Sequence, residues 1–311
     1  MNLRPLVAIV AGSVLFGWVA GSRMLAGKTF ALDWPAGFGQ GVRAHPENES
    51  ATRLFATAER LGDVRDVRAA LRDFLRRGGT PPAAVARFLD ARGAAIGTLR
   101  AEIISNPPPV WALDVDDVLE PPQPPYALER QLVLVFAADA LAQHARANEA
   151  GAWSDLHAAW IVTRSLWQRP EIGSVATAMV GTRILDAAAA RLSPPLPSWR
   201  SEALRFELQP SLLRALEYEA WAMRERGERY PAGQPNGSEF EDAVRKIAAP
   251  LLRPVRGIQA DLYSGKMRRL SIAVVHADPC AAFTLPAAPD WGAFIDRFQR
   301  LRCAHRRDSP R

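Results

Sequence analysis

Near the C-terminus, His276-Ala-Asp-Pro-Cys280 and Cys303-Ala-His305 hold both cysteines of the chain and two of its histidines. Thiols and imidazoles at this spacing admit several chemistries. A disulfide Cys280–Cys303 would close the intervening loop and pin the last helix, a constraint of about 3 kcal/mol in loop entropy. Zinc ligation by all four side chains is the second; His-x3-Cys suits it, whereas Cys-x-His is tighter than structural zinc spacing. A Cys–His nucleophile needs a depressed thiol pKa, and nothing in the sequence sets one up. Two unrelated reduced thiols are the plain alternative. In an oxidising compartment an even pair of cysteines makes the disulfide the expected state.

The carboxylates give weaker signals. Asp114-Val-Asp-Asp117, with Glu120, is acidic enough for calcium but lacks the glycine and terminal glutamate of an EF-hand loop, so a solvated loop is expected. Asp139 is the lone charge in an apolar stretch, and a buried carboxylate must be paired or protonated. An ion pair with Arg164 or Arg183 on a neighbouring helix, fixing helix register, is the expected arrangement. The functional alternative is a polar group lining a cavity between helices. His144 and His157 flank one turn, where two imidazoles could meet; surface positions are expected for both. The chain contains no GxSxG, phosphate-binding glycine loop, HExxH or CxxC, which lowers the odds of a familiar hydrolase, NTPase or zinc protease. No catalytic residue and no cofactor is assigned.

The elements that would carry these groups begin with a membrane segment. Arg4 precedes an uncharged run from Pro5 to Gly21, and Arg23 and Lys28 follow. A span needs ~20 residues for a ~30 Å hydrocarbon layer, and Ser22, Leu25 and Ala26 extend the run toward that length. Residues 1–28 are expected to be an uncleaved signal anchor, crossing the membrane through residues 5–26. The chain would then be a single-pass protein of the bacterial inner membrane, with its ectodomain in the periplasm or outside.

Composition is globular: 311 residues, 48% hydrophobic and 23% charged. The net charge of +6 comes with scattered arginines and one local excess, Arg297, Arg300, Arg302, Arg306, Arg307 and Arg311. A nucleic-acid reading needs base-reading or stacking groups around that excess; Phe294 and Phe298 are expected to be core anchors on the other side of the helix, so no nucleic acid is expected as a partner.

Proline clusters at 106–109, 121–125, 194–197, 230–235 and 286–289 cut the chain into helical blocks. They suggest an N-terminal helical region over 29–125, a central hairpin region over 126–197 and a C-terminal helical region over 198–311. Three- and four-residue apolar spacing predicts helices over 47–61, 66–76 and 81–104. The central block predicts a helix over 127–148, apolar all round from Leu132 to Ala142. A turn at Glu149-Ala150-Gly151 follows, then a helix striped by Trp153, Leu156, Trp160, Thr163 and Trp167, and a third over 171–192 turning Ile172, Val175, Ala176, Met179 and Val180 inward. Further helices are expected over 210–229, 238–249, 255–263 and 290–302. Leu270–Val275 has strand character.

Gly151-Ala-Trp-Ser-Asp-Leu156, with Trp160 and Pro170, resembles the second half of a tetratricopeptide repeat, without a second copy at ~34-residue spacing. The stretch from Gly97 to Trp199 also resembles a group of exported helical proteins of bacteria to which no function is attached. The shared features are Asn106-Pro-Pro-Pro-Val-Trp111, a long apolar helix, GAWSDLHAAW, QRPEIGS and a proline-rich exit. The resemblance implies an all-α fold and an envelope location, and its motifs read as packing and turn residues. The expected fold is all-α: a membrane helix, then packed antiparallel hairpins in a TPR-like array or an irregular bundle. The expected role is binding or scaffolding for a protein partner in the cell envelope. An enzyme or metal-binding protein using the His/Cys cluster, and a periplasmic binder of an apolar ligand, are the alternatives.

Overall fold

The computed structural model describes residues 46–114, 124–229, 265–275 and 289–308, together with Cys280 and isolated positions between 259 and 263. The expected anchor (1–28) and the expected helix 238–249 lie outside the described residues, as does most of 255–263. Among the described residues the structure is all-helical, with no strand, and no helix is long and apolar enough to cross a membrane.

One compact unit takes in Ala44–Asp114, Pro122–Ala215 and Val274–Arg311. Its first helix, α1 (Glu49–Ala58), starts at Asn48, whose Oδ1 accepts from Ala51 N at 3.0 Å. The same oxygen accepts from Val110 N at 3.0 Å, and Asn48 Nδ2 donates to Pro108 O at 3.0 Å. One cap thus also fixes the proline-rich segment against α1. Helix α2 (Arg68–Arg77) stops where Gly78 adopts φ 71°, a left-handed conformation that glycine tolerates. Arg191 donates to the terminal carbonyls of Leu75 and Arg76, satisfying the end of α2. Helix α3 (Ala83–Ser105) buries Val85, Leu89, Ile96, Leu99 and Ile103 and continues through Gly93 and Gly97.

Helices α4 (Tyr126–Ala145), α5 (Glu149–Trp167) and α6 (Ile172–Ala189) pack most extensively against one another. Every residue of α4 from Leu132 to Ala142 is buried. The stripe Trp153, Leu156, Trp160, Thr163 and Trp167 is buried as well. The α4–α5 turn carries Ala147 at φ 61°, a conformation that costs a Cβ-bearing residue about 1 kcal/mol or more. Glu149-Ala150-Gly151 is the first turn of α5, not a linker: Asn148 caps it, accepting from Gly151 N at 3.1 Å. On α6, a Cβ at Gly181 would lie 2.7 Å from Thr163 Oγ1, so this glycine sets the close approach of α5 and α6. The inward face of α6 is accordingly rotated from the expected one. Ser174, Ala178, Gly181 and Thr182 are buried beside Val175 and Met179, while Val180 is 46% exposed. Phe55 on α1 is likewise exposed.

Helix α7 (Ser198–Arg205) and helix α8 (Leu208–Arg229) meet at a corner, and α9 spans Pro289–Asp308. Residues 265–275 are helical, which corrects the strand reading of Leu270–Val275. Met267, Leu270 and Val274 are buried at helical spacing while Ile272 and Val275 stay exposed. An amphipathic pattern thus overrides the β preference of the branched residues. The second unit contains, among the described residues, 216–229 and 265–273. There Tyr218 and Trp221 place their rings 5.6 Å apart, and burial pushes the Tyr263 hydroxyl up to about 12.

Candidate functional site

Cys280 and Cys303 are joined in a disulfide, their Cα atoms 4.8 Å apart. Both sulfurs are used in this bond, so neither is present as a thiolate ligand or nucleophile. His276 lies outside the described residues, and His305 is buried on α9, two residues from the staple. Among the described residues no three His, Cys, Asp or Glu side chains converge as metal ligands.

His305 instead borders an open cavity of about 630 Å³ at the α7–α8 corner. Phe206, Leu208 and Leu213 give it apolar walls, and Arg205 and Arg302 bring positive charge. The far wall is fixed by Arg302, whose Nη2 donates to Gln209 Oε1 at 2.6 Å and whose guanidinium lies 5.9 Å from the Phe298 ring centre. The disulfide anchors α9 at Cys303, two residues from His305. Sequence reasoning missed this cavity, because its lining comes from a corner and a helix distant in the chain. Two other arginines of the basic tail are engaged locally: Arg297 bonds Ala293 O, and Arg300 pairs with Asp296 at 2.6 Å.

Asp139 does not pair with Arg164 or Arg183. Arg164 bonds Glu202 on α7 at 2.8 Å, and Arg183 is exposed. Asp139 faces Asp155, close enough for its charge to act on that carboxyl, and accepts from Gln143 Nε2 at 3.4 Å. The reason is the antiparallel hairpin: Asp139 and Asp155 lie equally far from Ala147 in the turn, so they meet across it. Arg100 on α3 donates to Asp155 Oδ1 at 2.8 Å. Even so, burial first and the adjoining Asp139 second push Asp155 up to about 8. Asp155 is therefore largely protonated at neutral pH.

A second enclosed network was not anticipated. Arg169 forms a two-bond ion pair with Glu171, with Nε to Oε2 at 2.9 Å. Its Nη1 also donates to Trp111 O at 2.9 Å and Ala112 O at 2.7 Å. Trp111 Nε1 in turn donates to Ser165 Oγ at 3.1 Å. The two motifs Asn106–Trp111 and Gln168–Ser174 are thus brought together as a packing joint. Beside it, Tyr126 Oη and Ser174 Oγ are 3.1 Å apart, and burial raises the tyrosine to about 12. Glu129 is 1% exposed, and neither carboxylate oxygen has a hydrogen-bond partner. Burial pushes it up to about 8 against the opposing charge of Arg169, so it too is largely protonated at neutral pH. The Arg-Pro-Glu sequence carried a signal, a charged pair at a helix break, but its burial was not legible.

The two histidines flanking the α4–α5 turn have separate partners. His144 Nδ1 bonds Glu149, whereas His157 stacks on Trp199 at 5.0 Å. Burial lowers the pKa of His157. Of the acidic run, only Asp114 is described; Asp116, Asp117 and Glu120 lie outside the described residues. Compared with known proteins, the chain matches no protein-family model, no curated protein and no solved structure.

Proposed function

We propose that this chain is a bacterial envelope protein, anchored in the inner membrane through residues 5–26, whose helical ectodomain binds or scaffolds a protein partner. The observation that carries the binding half is the open cavity of about 630 Å³ at the α7–α8 corner. Its volume falls within the ~300–1,000 Å³ range of ligand sites, and its lining mixes apolar walls with a few oriented polar groups. The disulfide supports the envelope half, since such bonds persist in oxidising compartments. The uncharged run Pro5–Gly21 supports the anchor. TPR-like pairing of α4 with α5 and α5 with α6 belongs to the same proposal, supported by the close approach at Gly181. The lining side chains Phe206, Leu208 and Leu213 favour a small apolar ligand as the second reading.

A photoreactive residue at Leu213, with a control at Arg183, tests the proposal in intact cells. The expected result is one discrete protein adduct from position 213 only, recovered with the membrane fraction. Recovery of the chain in the soluble fraction would remove the anchor. A lipid or small-molecule adduct at 213 would replace the protein partner with the second reading.

A further inference from the structure

A smaller cavity, of about 120 Å³, lies where α2, α4 and α6 meet. Arg68 and Arg72 come from α2, one turn apart, and Arg130 comes from α4. The floor is apolar, with Leu134 buried and Ile184 beside it, and the exposed Val180 stands at the rim. Several arginines of this unit are matched to carboxylates, as in Arg100–Asp155, Arg146–Asp90, Arg164–Glu202 and Arg200–Asp186. Among the described residues none of Arg68, Arg72 and Arg130 forms an ion pair within 4.0 Å. Asp63, whose charge reaches Arg68, is hydrogen-bonded to Arg65 Nε at 2.6 Å. Arg130 is held by its Nε bond to Tyr126 O at 3.2 Å, which leaves its terminal nitrogens as donors.

Three arginines line so small a space, and their like charges repel one another unless an anion joins them. Their planar forks match tetrahedral phosphate oxygens in bidentate geometry. The apolar floor suits a ligand whose phosphate continues into hydrocarbon or another uncharged group. We propose that the cavity between α2, α4 and α6 binds a phosphate group, presented by a phospholipid headgroup or by a soluble phosphate. This site is separate from the α7–α8 corner and does not depend on the function proposed for it.

The full chain in neutral detergent, carrying an environment-sensitive fluorophore at Val180→Cys on the cavity rim, tests this directly. The probes are inorganic phosphate and short-chain dihexanoyl phosphatidylglycerol. A saturable fluorescence change is expected with at least one probe, weakened about tenfold or more in R72Q/R130Q, as loss of charge-assisted bonds requires. R183Q removes a charge from α6 outside the cavity and is expected to leave the response within about twofold. A response to the lipid alone identifies a headgroup site, and a response to both probes a general phosphate site. A response to inorganic phosphate alone identifies a soluble ligand. No saturable change with either probe overturns the proposal, as does an equal loss in R183Q, which would mean nonspecific charge attraction. Unchanged circular dichroism and thermal midpoint in R72Q/R130Q separate lost binding from lost folding.

Discussion

The α4–α6 block and the α7–α9 region bury their side chains by opposite means. In α4–α6, small residues let helices approach closely, large aromatics fill the remaining space, and polar groups are enclosed within it. Trp167 is fully buried and still satisfies its indole, donating to Thr182 Oγ1 at 3.0 Å. In α7–α9, the helices leave an open cavity, and a disulfide with the Arg302 bonds holds its rim. The contrast teaches a division of labour: one region supplies a rigid frame, and the other keeps accessible surface at its edge.

Substitutions should break this contrast in order. Trp167→Ala removes a fully buried aromatic and its bond to Thr182, with an expected loss of about 3–5 kcal/mol in denaturant unfolding. Leu213→Ala, on the cavity wall, is expected to cost about 1 kcal/mol, because solvent already reaches the site. Equal losses at the two positions would erase the distinction. Cys280→Ser with Cys303→Ser is expected to lower stability by about 3 kcal/mol, and reductant should then have no further effect on the melting curve.

Acidity sharpens the comparison further. Glu129 and Asp155 rise from ordinary values of 4.5 and 3.8 to about 8 in the folded chain. Across that window the native state holds protons that the unfolded chain has released, so their contribution is complete at low pH and is lost as pH rises through about 8. Denaturant midpoints taken from pH 5 to pH 9 should therefore show a downward component. Glu129→Gln with Asp155→Asn should flatten it. A component that survives both substitutions would place its origin elsewhere. The smallest expected effect is a gain: Ala147→Gly relieves the left-handed turn, offset in part by the entropy glycine loses on folding, and should stabilise the chain by about 0.5 kcal/mol, measured in the same assay.

Periodicity made the helices of the central block legible, including the all-round burial of Leu132–Ala142 and the Trp153–Trp167 stripe. It misplaced the inward face of α6 because small residues dictate that interface: Gly181, Ser174 and Thr182 carry weak hydropathy signals yet permit the closest packing. Leu270–Val275 misled for the converse reason, its branched side chains outweighing a helical spacing visible only when Met267 is included. The Asp139 partner was derivable from hairpin symmetry about Ala147, which composition alone does not weigh. The Glu129–Arg169–Glu171 network and both cavities join segments far apart in the chain, and no local pattern encodes that proximity.

Amide hydrogen exchange on the full chain, resolved by peptide, tests the division between frame and edge most directly. The account predicts that central amides of α4, α5 and α6 exchange only through global unfolding, with a free energy matching the denaturant value. Amides of α7 and the first turns of α8, around the cavity, should open at lower free energy. Equal protection across both regions, or the slower exchange in α7 and α8, would contradict it.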